Sequence, residues 1–312
     1  MIEVLRYQPS LASQWGEVLA DARNGVFLFD RRYMDYHSDR FADCSALITV
    51  DGRPEMIFPA SIADGHVHSH GGLTFGGLVV RRNLRTVRVL EGGEALLGKL
   101  REWGARRLTI RLLPTPFASH PSQDAILAFL RRGFETVRRD VCSIANLAAD
   151  PPIARGKQRD IAKAAKLGVS VREVALDDFY PLLADVLASR HSASPVHSLA
   201  ELRMLQSRFP DRILVRSAVF NDAIVAGAIL YRYDAVWHTQ YLASGEEGRR
   251  LSALDLVIAS AMEEAAAASA VWFSFGTSMD GDQINESLLW QKESLGGRSM
   301  LQETIAGDLG TI

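Results

Sequence analysis

Short alternating or apolar runs mark strands along this chain, and longer stretches with apolar residues three and four apart mark the helices between them. The first half opens with a strand over residues 2–6 and a helix over about 10–20. A polar-aromatic segment at 30–41 precedes apolar runs at 45–50 and 56–62, which the turn Asp51-Gly52-Arg53-Pro54 makes a predicted hairpin. A third strand carries His66, His68 and His70 into Gly71-Gly72-Leu73-Thr74-Phe75-Gly76-Gly77. A helix at about 86–103, a strand at 108–112, a helix at about 123–132 and a strand at 134–145 follow.

After Asp150-Pro151-Pro152 the pattern restarts. A basic helix at 155–167 leads to a strand at 169–174 and helices at about 177–189 and 198–209. Strands at 213–220, 224–233 and 235–243 are separated by the turns Asn221-Asp222 and Tyr233-Asp234. An alanine-rich helix at 252–268, a strand at 271–275, a helix at about 283–293 and a strand at 298–304 complete the chain. Each half reads β-α-α-β-β-β-α-β-α-β, and a repeat of that length is a duplicated domain rather than a solenoid. Domains at 1–150 and 151–312 are expected, α+β in class, each with its own mixed sheet flanked by helices.

Composition agrees. A chain of 312 residues suits two domains, and 47% hydrophobic with 23% charged residues is globular and soluble in character. With 35 basic and 37 acidic residues the net charge of −2 exerts no global pull on nucleic acid or membrane. Cys44 and Cys142 are far apart and in no CxxC pattern, so both read as buried, inert thiols rather than zinc ligands, a disulfide or a nucleophile. The N-terminus lacks a basic region followed by an apolar core, and no apolar run reaches the ~20 residues that span a bilayer. A cytoplasmic protein is expected.

The segment Tyr241-Leu242-Ala243-Ser244-Gly245-Glu246-Glu247-Gly248-Arg249-Arg250 takes a strand through a glycine-punctuated turn toward a helix. The first N–H groups of a helix are unpaired and the helix dipole adds positive charge, so such a turn can cradle an anion, and guanidinium forks match phosphate oxygens. A surface turn with solvated charges is the plain alternative. Along 236–243, alternation puts His238, Gln240 and Leu242 on one face and Trp237, Thr239 and Tyr241 on the other. A histidine with pKa ~6.5 suits a general base, although one satisfied within the sheet reads the same way.

The element order resembles the Gcn5-related N-acetyltransferase (GNAT) fold. The chain looks like tandem-GNAT proteins related to the Fem peptidoglycan-bridge transferases, including acyltransferase-like members associated with cell-surface polysaccharide synthesis. The residues carrying the likeness are Asn24-Gly25 to Phe29, Tyr33 to Phe41 and His70 to Gly77 in the first half. In the second half they are Pro195 to Ser198, His238 to Ser244, Asn285-Glu286 and Gln291 to Glu293. The resemblance implies mostly antiparallel sheets and an acyl-CoA donor, whose pantetheine arm runs along the edge of a splayed strand. Tyr241, Leu242 and Ser244 would line that arm, with Gly245, Gly248, Arg249, Arg250, Leu251 and Ser252 around the phosphates. The family loop, Gln/Arg-x-x-Gly-x-Gly/Ala, is not reproduced: with Gly248 aligned to its first glycine, Arg250 stands where a second small residue belongs. His238 and Gln240 would meet the acceptor amine. Asn285, Glu286 and Lys292 would border the leaving thiolate, Lys292 alternatively pairing with Glu286 or Glu293.

His66, His68 and His70 share a strand face by alternation, but no carboxylate ligand lies beside them, and no metal is expected. His70, Thr74 and Phe75 instead read as part of a substrate-side loop. Tyr33, His37, Asp39 and Arg40 interleave aromatic and hydrogen-bonding groups, as a sugar or nucleotide-sugar acceptor requires, or else serve as a cap and interface. His197 is a further cleft candidate, although Ser198 with Glu201 forms a capping box that explains the local pattern. Arg155, Arg159, Lys163 and Lys166 share one helix face, solvated or used for tRNA. The expected function is acyl transfer from acyl-CoA to an amine of an amino sugar or nucleotide-sugar precursor. The alternatives are aminoacyl-tRNA-dependent transfer to a cell-wall precursor, opposed by the missing coiled-coil insertion of many Fem proteins, and a non-catalytic binding protein on a GNAT scaffold.

Overall fold

The computed structural model describes residues 1–149, 151–191 and 193–310, so Asp150 of the expected domain break lies outside the described residues. Along the chain run β1 (Ile2–Arg6), α1 (Ala12–Ala20), α2 (Arg31–Met34), β2 (Ala46–Val50), β3 (Arg53–Phe58), β4 (Ser61–Ala63), β5 (His66–His68), β6 (Val79–Val80), α3 (Thr86–Glu102), β7 (Arg107–Arg111), α4 (Gln123–Leu130) and β8 (Glu135–Asn146). There follow α5 (Arg155–Lys166), β9 (Ser170–Glu173), α6 (Leu176–His191), α7 (Leu199–Arg208), β10 (Ile213–Phe220), β11 (Ala223–Arg232) and β12 (Val236–Ser244). The chain ends with α8 (Glu246–Arg250), α9 (Ala253–Ala267), β13 (Trp272–Thr277), β14 (Met279–Asp280), β15 (Gln283–Ile284), α10 (Glu286–Ser294) and β16 (Arg298–Asp308).

By internal contacts the chain divides into two compact units, Met1–Asp140 with Leu301–Ile312, and Val141–Met300. The last strand, which the sequence places in the second half, thus contributes to the first: Thr304 to Asp308 pair antiparallel with Arg111 to Arg107 of β7. The reason is apolar, since Ile305 and Leu309 are buried in the core of that unit with Phe58, Leu100, Ile110 and Phe129. In the first unit, β1, β2 and β3 form an antiparallel meander continued by β6. The expected strand at 56–62 is two strands, because the chain breaks after Phe58 and re-pairs as the β4–β5 hairpin.

In the second unit β9, β10, β11 and β12 are consecutive antiparallel neighbours. β12 then pairs parallel with β13, which pairs antiparallel with the end of β8. One face of this sheet packs on α9 through Ala226, Ala228, Leu230, Trp237, Val257, Ala261 and Phe273. The alanines of α9 let the helix lie close to the strands while keeping high helix propensity. The expected helix at 283–293 starts later, because Asn285 accepts from the Leu288 N–H as N-cap and Gln283–Ile284 pair with β14.

The β12–β13 pairing covers only Val236↔Trp272, Trp237↔Phe273 and His238↔Ser274. Beyond it each strand carries an irregularity: β12 against β11 opposite Ile229/Leu230, and β13 against β8 at Ser274/Gly276. Gly276 has φ of 72°, a left-handed conformation open to glycine, and lies at this divergence. Gly276→Ala is expected to cost roughly 1–2 kcal/mol through that φ. Gly156→Ala in α5, where an added methyl meets nothing within 4 Å, should gain roughly 0.5–1 kcal/mol. Urea denaturation of the two variants checks both signs, and equal midpoints would contradict this account of the divergence.

Candidate functional site

His238 and Ser274, the last pair before β12 and β13 part, are also joined through their side chains, His238 Nδ1 lying 3.0 Å from Ser274 Oγ. The irregularity in β12 corrects the expected alternation. Ile229 opposes Tyr241 and Leu230 opposes Thr239, so Gln240 is the extra residue. Tyr241 therefore shares the face of His238, and Leu242 joins Trp237 and Thr239, the reverse of strict alternation. Tyr241 is engaged there, its hydroxyl 2.7 Å from His197 Nδ1 and accepting from the His197 N–H at 3.2 Å. The Tyr180 hydroxyl donates to the His197 carbonyl, and the Ser198–Glu201 capping box forms as read.

Farther along β12 a cavity of about 440 Å³ opens at Leu242, Ala243 and Ser244. Gly248, Arg249 and Ser252 of the turn line it, as do Leu254 and Asp255 of α9 and Leu288 and Gln291 of α10. Lys157 and Asp160 of α5 and Val186 and Arg190 of α6 complete the wall. Of the donor residues expected from sequence, Leu242, Ser244, Gly248, Arg249 and Ser252 therefore meet at one cavity. Tyr241, Gly245, Arg250 and Leu251 do not line it: Leu251 is buried in the core, and Arg250 forms a fork with Glu247 at 2.6 and 3.1 Å on the exposed side. A Cβ at Gly248 would overlap the Val225 carbonyl, so the glycine serves the approach of α8 to β11. Arg249 donates to the Ser244 carbonyl at 2.7 Å.

Sequence reading missed Lys157, Asp160, Arg190 and Asp255. The signal was present for Lys157, which falls with Ile161 and Ala164 at spacings of four and three. That stripe packs inward, while Arg155, Arg159, Lys163 and Lys166 are exposed. A lysine on the apolar stripe of a helix is the pattern to look for.

Lys292 is buried, at 5% exposure, and donates to the carbonyls of Gly276 at 3.1 Å and of Thr277. Burial lowers its pKa from 10.5 to about 8. His238, at 8% exposure, is lowered to about 4, first by burial and then by the charge of Lys292. Gly276 joins them, its carbonyl on Lys292 and its Cβ position 3.4 Å from His238 Cε1. The structure thus gives Lys292 carbonyl partners in place of the Glu286 or Glu293 pairing considered from sequence. Glu286 is exposed at the start of α10, and Asn285 caps it.

In the first unit Tyr33, His37 and His70 gather with Tyr36 and Phe41. His37 stacks on Tyr36 at 4.2 Å and on His70 at 5.1 Å, and Tyr33 meets Tyr36 edge-on at 5.6 Å. His70 Nδ1 accepts from the Gly72 N–H at 3.2 Å, and burial, then His37, lowers the His70 pKa to about 4. Asp39 and Arg40 form an exposed pair at 3.8 Å. Phe75 packs on Phe117 at 4.8 Å instead, and Thr74 is half-buried. His70 leaves the face of its neighbours because β5 ends at His68; the rings of His66 and His68 lie 4.1 Å apart, with His66 Nε2 on Thr109 Oγ1 at 2.8 Å.

Residues 154–283 match the family model of the acetyltransferase (GNAT) domain. No curated protein matches the chain. FemX superposes with a TM-score of 0.69 at 12% identity, over 97% of this chain and 96% of FemX. L-PGS from Bacillus licheniformis gives 0.63 at 8% identity, over 96% and 91% of the two chains. The tandem GNAT protein from the clavulanic acid biosynthesis pathway gives 0.55 at 12% identity, over 99% of each. At these identities the likeness is one of fold. The chain has the Fem-like tandem-GNAT fold, and residues 154–283 of its second unit match the GNAT domain model.

Two of the buried histidines, His70 and His238, link stability to pH. With folded pKa values of about 4 against an ordinary 6.5, the unfolded chain takes up protons that the folded chain refuses. Their contribution is complete above about pH 6.5 and is lost as the pH falls through about 4, each histidine withdrawing up to about 3 kcal/mol. Among the 8 histidines, the ring resonances of His70 and His238 should stay neutral down to about pH 5 in an NMR titration. Titration of either near pH 6.5 would contradict its burial.

Proposed function

We infer that the second unit transfers an acyl group from acyl-CoA to an amine, on an amino sugar or nucleotide-sugar precursor for cell-surface polysaccharide, in the cytoplasm where such donors are made. The observation that carries this reading is the parting of β12 from β13, within the segment that matches the GNAT domain, beside a cavity lined by Lys157, Arg190 and Arg249 together with Asp160 and Asp255. Donor and cavity fit in kind. A strand edge released by its neighbour offers backbone groups to an amide-bearing arm, and Lys157, Arg190 and Arg249 offer charge to phosphates. The acceptor class is supported by the margin of the ring cluster, where half-buried Tyr36 and exposed Asp39 and Arg40 lie beside the buried rings of Tyr33, His37 and His70.

Bound acyl-CoA supplies an activated thioester. The acceptor amine forms the new N–C bond, the C–S bond breaks, and one proton must pass from nitrogen to sulfur. Lys292, with a pKa of about 8, is matched to give a proton to a thiolate of pKa ~8.5. His238 is a weak base while Lys292 is charged, because that charge helps depress its pKa. As Lys292 gives up its proton, His238 becomes more basic and takes the amine proton, which then restores Lys292. Gln240 and Glu286 complete the set proposed around the reacting groups.

A second reading, aminoacyl-tRNA as donor, is favoured by the exposed Arg155, Arg159, Lys163 and Lys166 on the helix whose Lys157 enters the cavity. Thermal shifts with acetyl-CoA, UDP-sugars and aminoacyl-tRNA separate the readings, since selective binding raises apparent stability. Acyl-CoA is expected to stabilise; a shift with tRNA alone would replace the first reading by the second. Lys292→Met is expected to fold, to lose ~10²-fold or more in turnover at pH 7, and to lack the decline in rate above about pH 8 shown by the wild type. An unchanged pH profile would remove Lys292 from proton transfer.

A further inference from the structure

The cavity wall holds charged groups that the proton chemistry leaves unused. Lys157 of α5 donates to Asp255 of α9 at 2.6 Å, the side chains 16% and 9% exposed. Both line the cavity, as do Arg190 of α6, Arg249 of α8 and Asp160 of α5. An ion pair so enclosed gains little over apolar packing of the same volume, so stability alone gives little reason for it. Asp255 occupies the first turn of α9, where free N–H groups and the dipole favour an anion. Its carboxylate takes up the positive potential that an anionic ligand would otherwise use, and holds Lys157 beside the cavity.

We propose, resting on the acyl-CoA reading above, that the donor's phosphates are held by the side chains of Lys157, Arg190 and Arg249, and that Asp255 competes with them for Lys157. Binding then moves the Lys157 ammonium from carboxylate to phosphate, and two helices outside the turn where the family loop would supply the grip, α5 and α6, add to Arg249 on that turn. Arg250 on the turn cannot share this role while it is forked to Glu247.

The competition sets opposite signs for neighbouring substitutions. By calorimetry with coenzyme A, Lys157→Met and Arg190→Met should each raise Kd at least ~10-fold, the loss of one charge-assisted contact. Asp255→Asn should lower Kd ~3-fold or more, because Lys157 is released to the ligand and a repulsion is removed. A merely structural pair would instead weaken binding in both Lys157→Met and Asp255→Asn. Arg190 is exposed on α6, so its variant tests the grip without disturbing the pair, and the double variant Lys157→Met/Asp255→Asn leaves no buried unpaired charge if Lys157→Met does not fold. Unchanged affinity in the folded arginine and double variants, or weaker binding in a folded Asp255→Asn, would overturn the proposal while leaving the donor reading intact. A wild-type protein that binds no coenzyme A would overturn the donor reading itself.

Discussion

The second unit is organised by a pairing that stops. β12 and β13 share three positions and then separate at His238 and Ser274. Parallel neighbours ordinarily continue while their backbones stay in register, because each further step satisfies an N–H and a C=O. Here β12 spends a residue on the bulge at Gln240, and β13 turns through Gly276. The two irregularities fall at the same level of the sheet. β12 remains paired with β11 as far as Ser244, so it stays ordered while its other edge is released. An ordered strand with a released edge beside a cavity has the geometry with which an extended, hydrogen-bonding ligand can pair.

The same parting creates the electrostatics. Where the strands separate, Gly276 and Thr277 turn their carbonyls to Lys292, which would otherwise be a buried ammonium without acceptors. Burial lowers the Lys292 pKa to about 8, and two neutral carbonyls do not offset that cost as a carboxylate would. The Lys292 charge then adds to burial in keeping His238 neutral. A residue's backbone conformation, an ammonium and an imidazole are thus parts of one device, and changing Gly276 would disturb all three.

The order of elements was legible because it rests on local rules: the apolar runs, the turn between β10 and β11 and the capping box at Ser198–Glu201 formed where the pattern put them. The turn at Gly245 to Ser252 was legible for the same reason, and Gly248, Arg249 and Ser252 of it do reach the cavity. What escaped was non-local. A single inserted residue at Gln240 exchanges the faces of every position after it, and no pattern of apolar residues announces the insertion. Arg249 and Arg250 look equivalent in sequence, yet Glu247 claims only the second. Lys157 was hidden among surface cations although its spacing to Ile161 and Ala164 marked it as inward. The final strand follows the core that buries Ile305 rather than the half of the sequence it belongs to.

The glycines of the 70–77 loop carry a related lesson about what a residue type permits. Paired glycines suggest a loop that moves or lies against a ligand. At Gly72 a Cβ would collide with the His37 ring, and at Gly76 with the backbone of Ser69. The backbone is therefore drawn tightly onto the histidine stack, with the Gly72 N–H bonded to His70 and the Gly76 N–H bonded to the Arg111 carbonyl at 2.7 Å. Glycine is used here to remove volume so that a loop can be held still. The rings so clamped, Tyr33, His37 and His70, are buried, and Tyr36 of the stack is partly open at the margin.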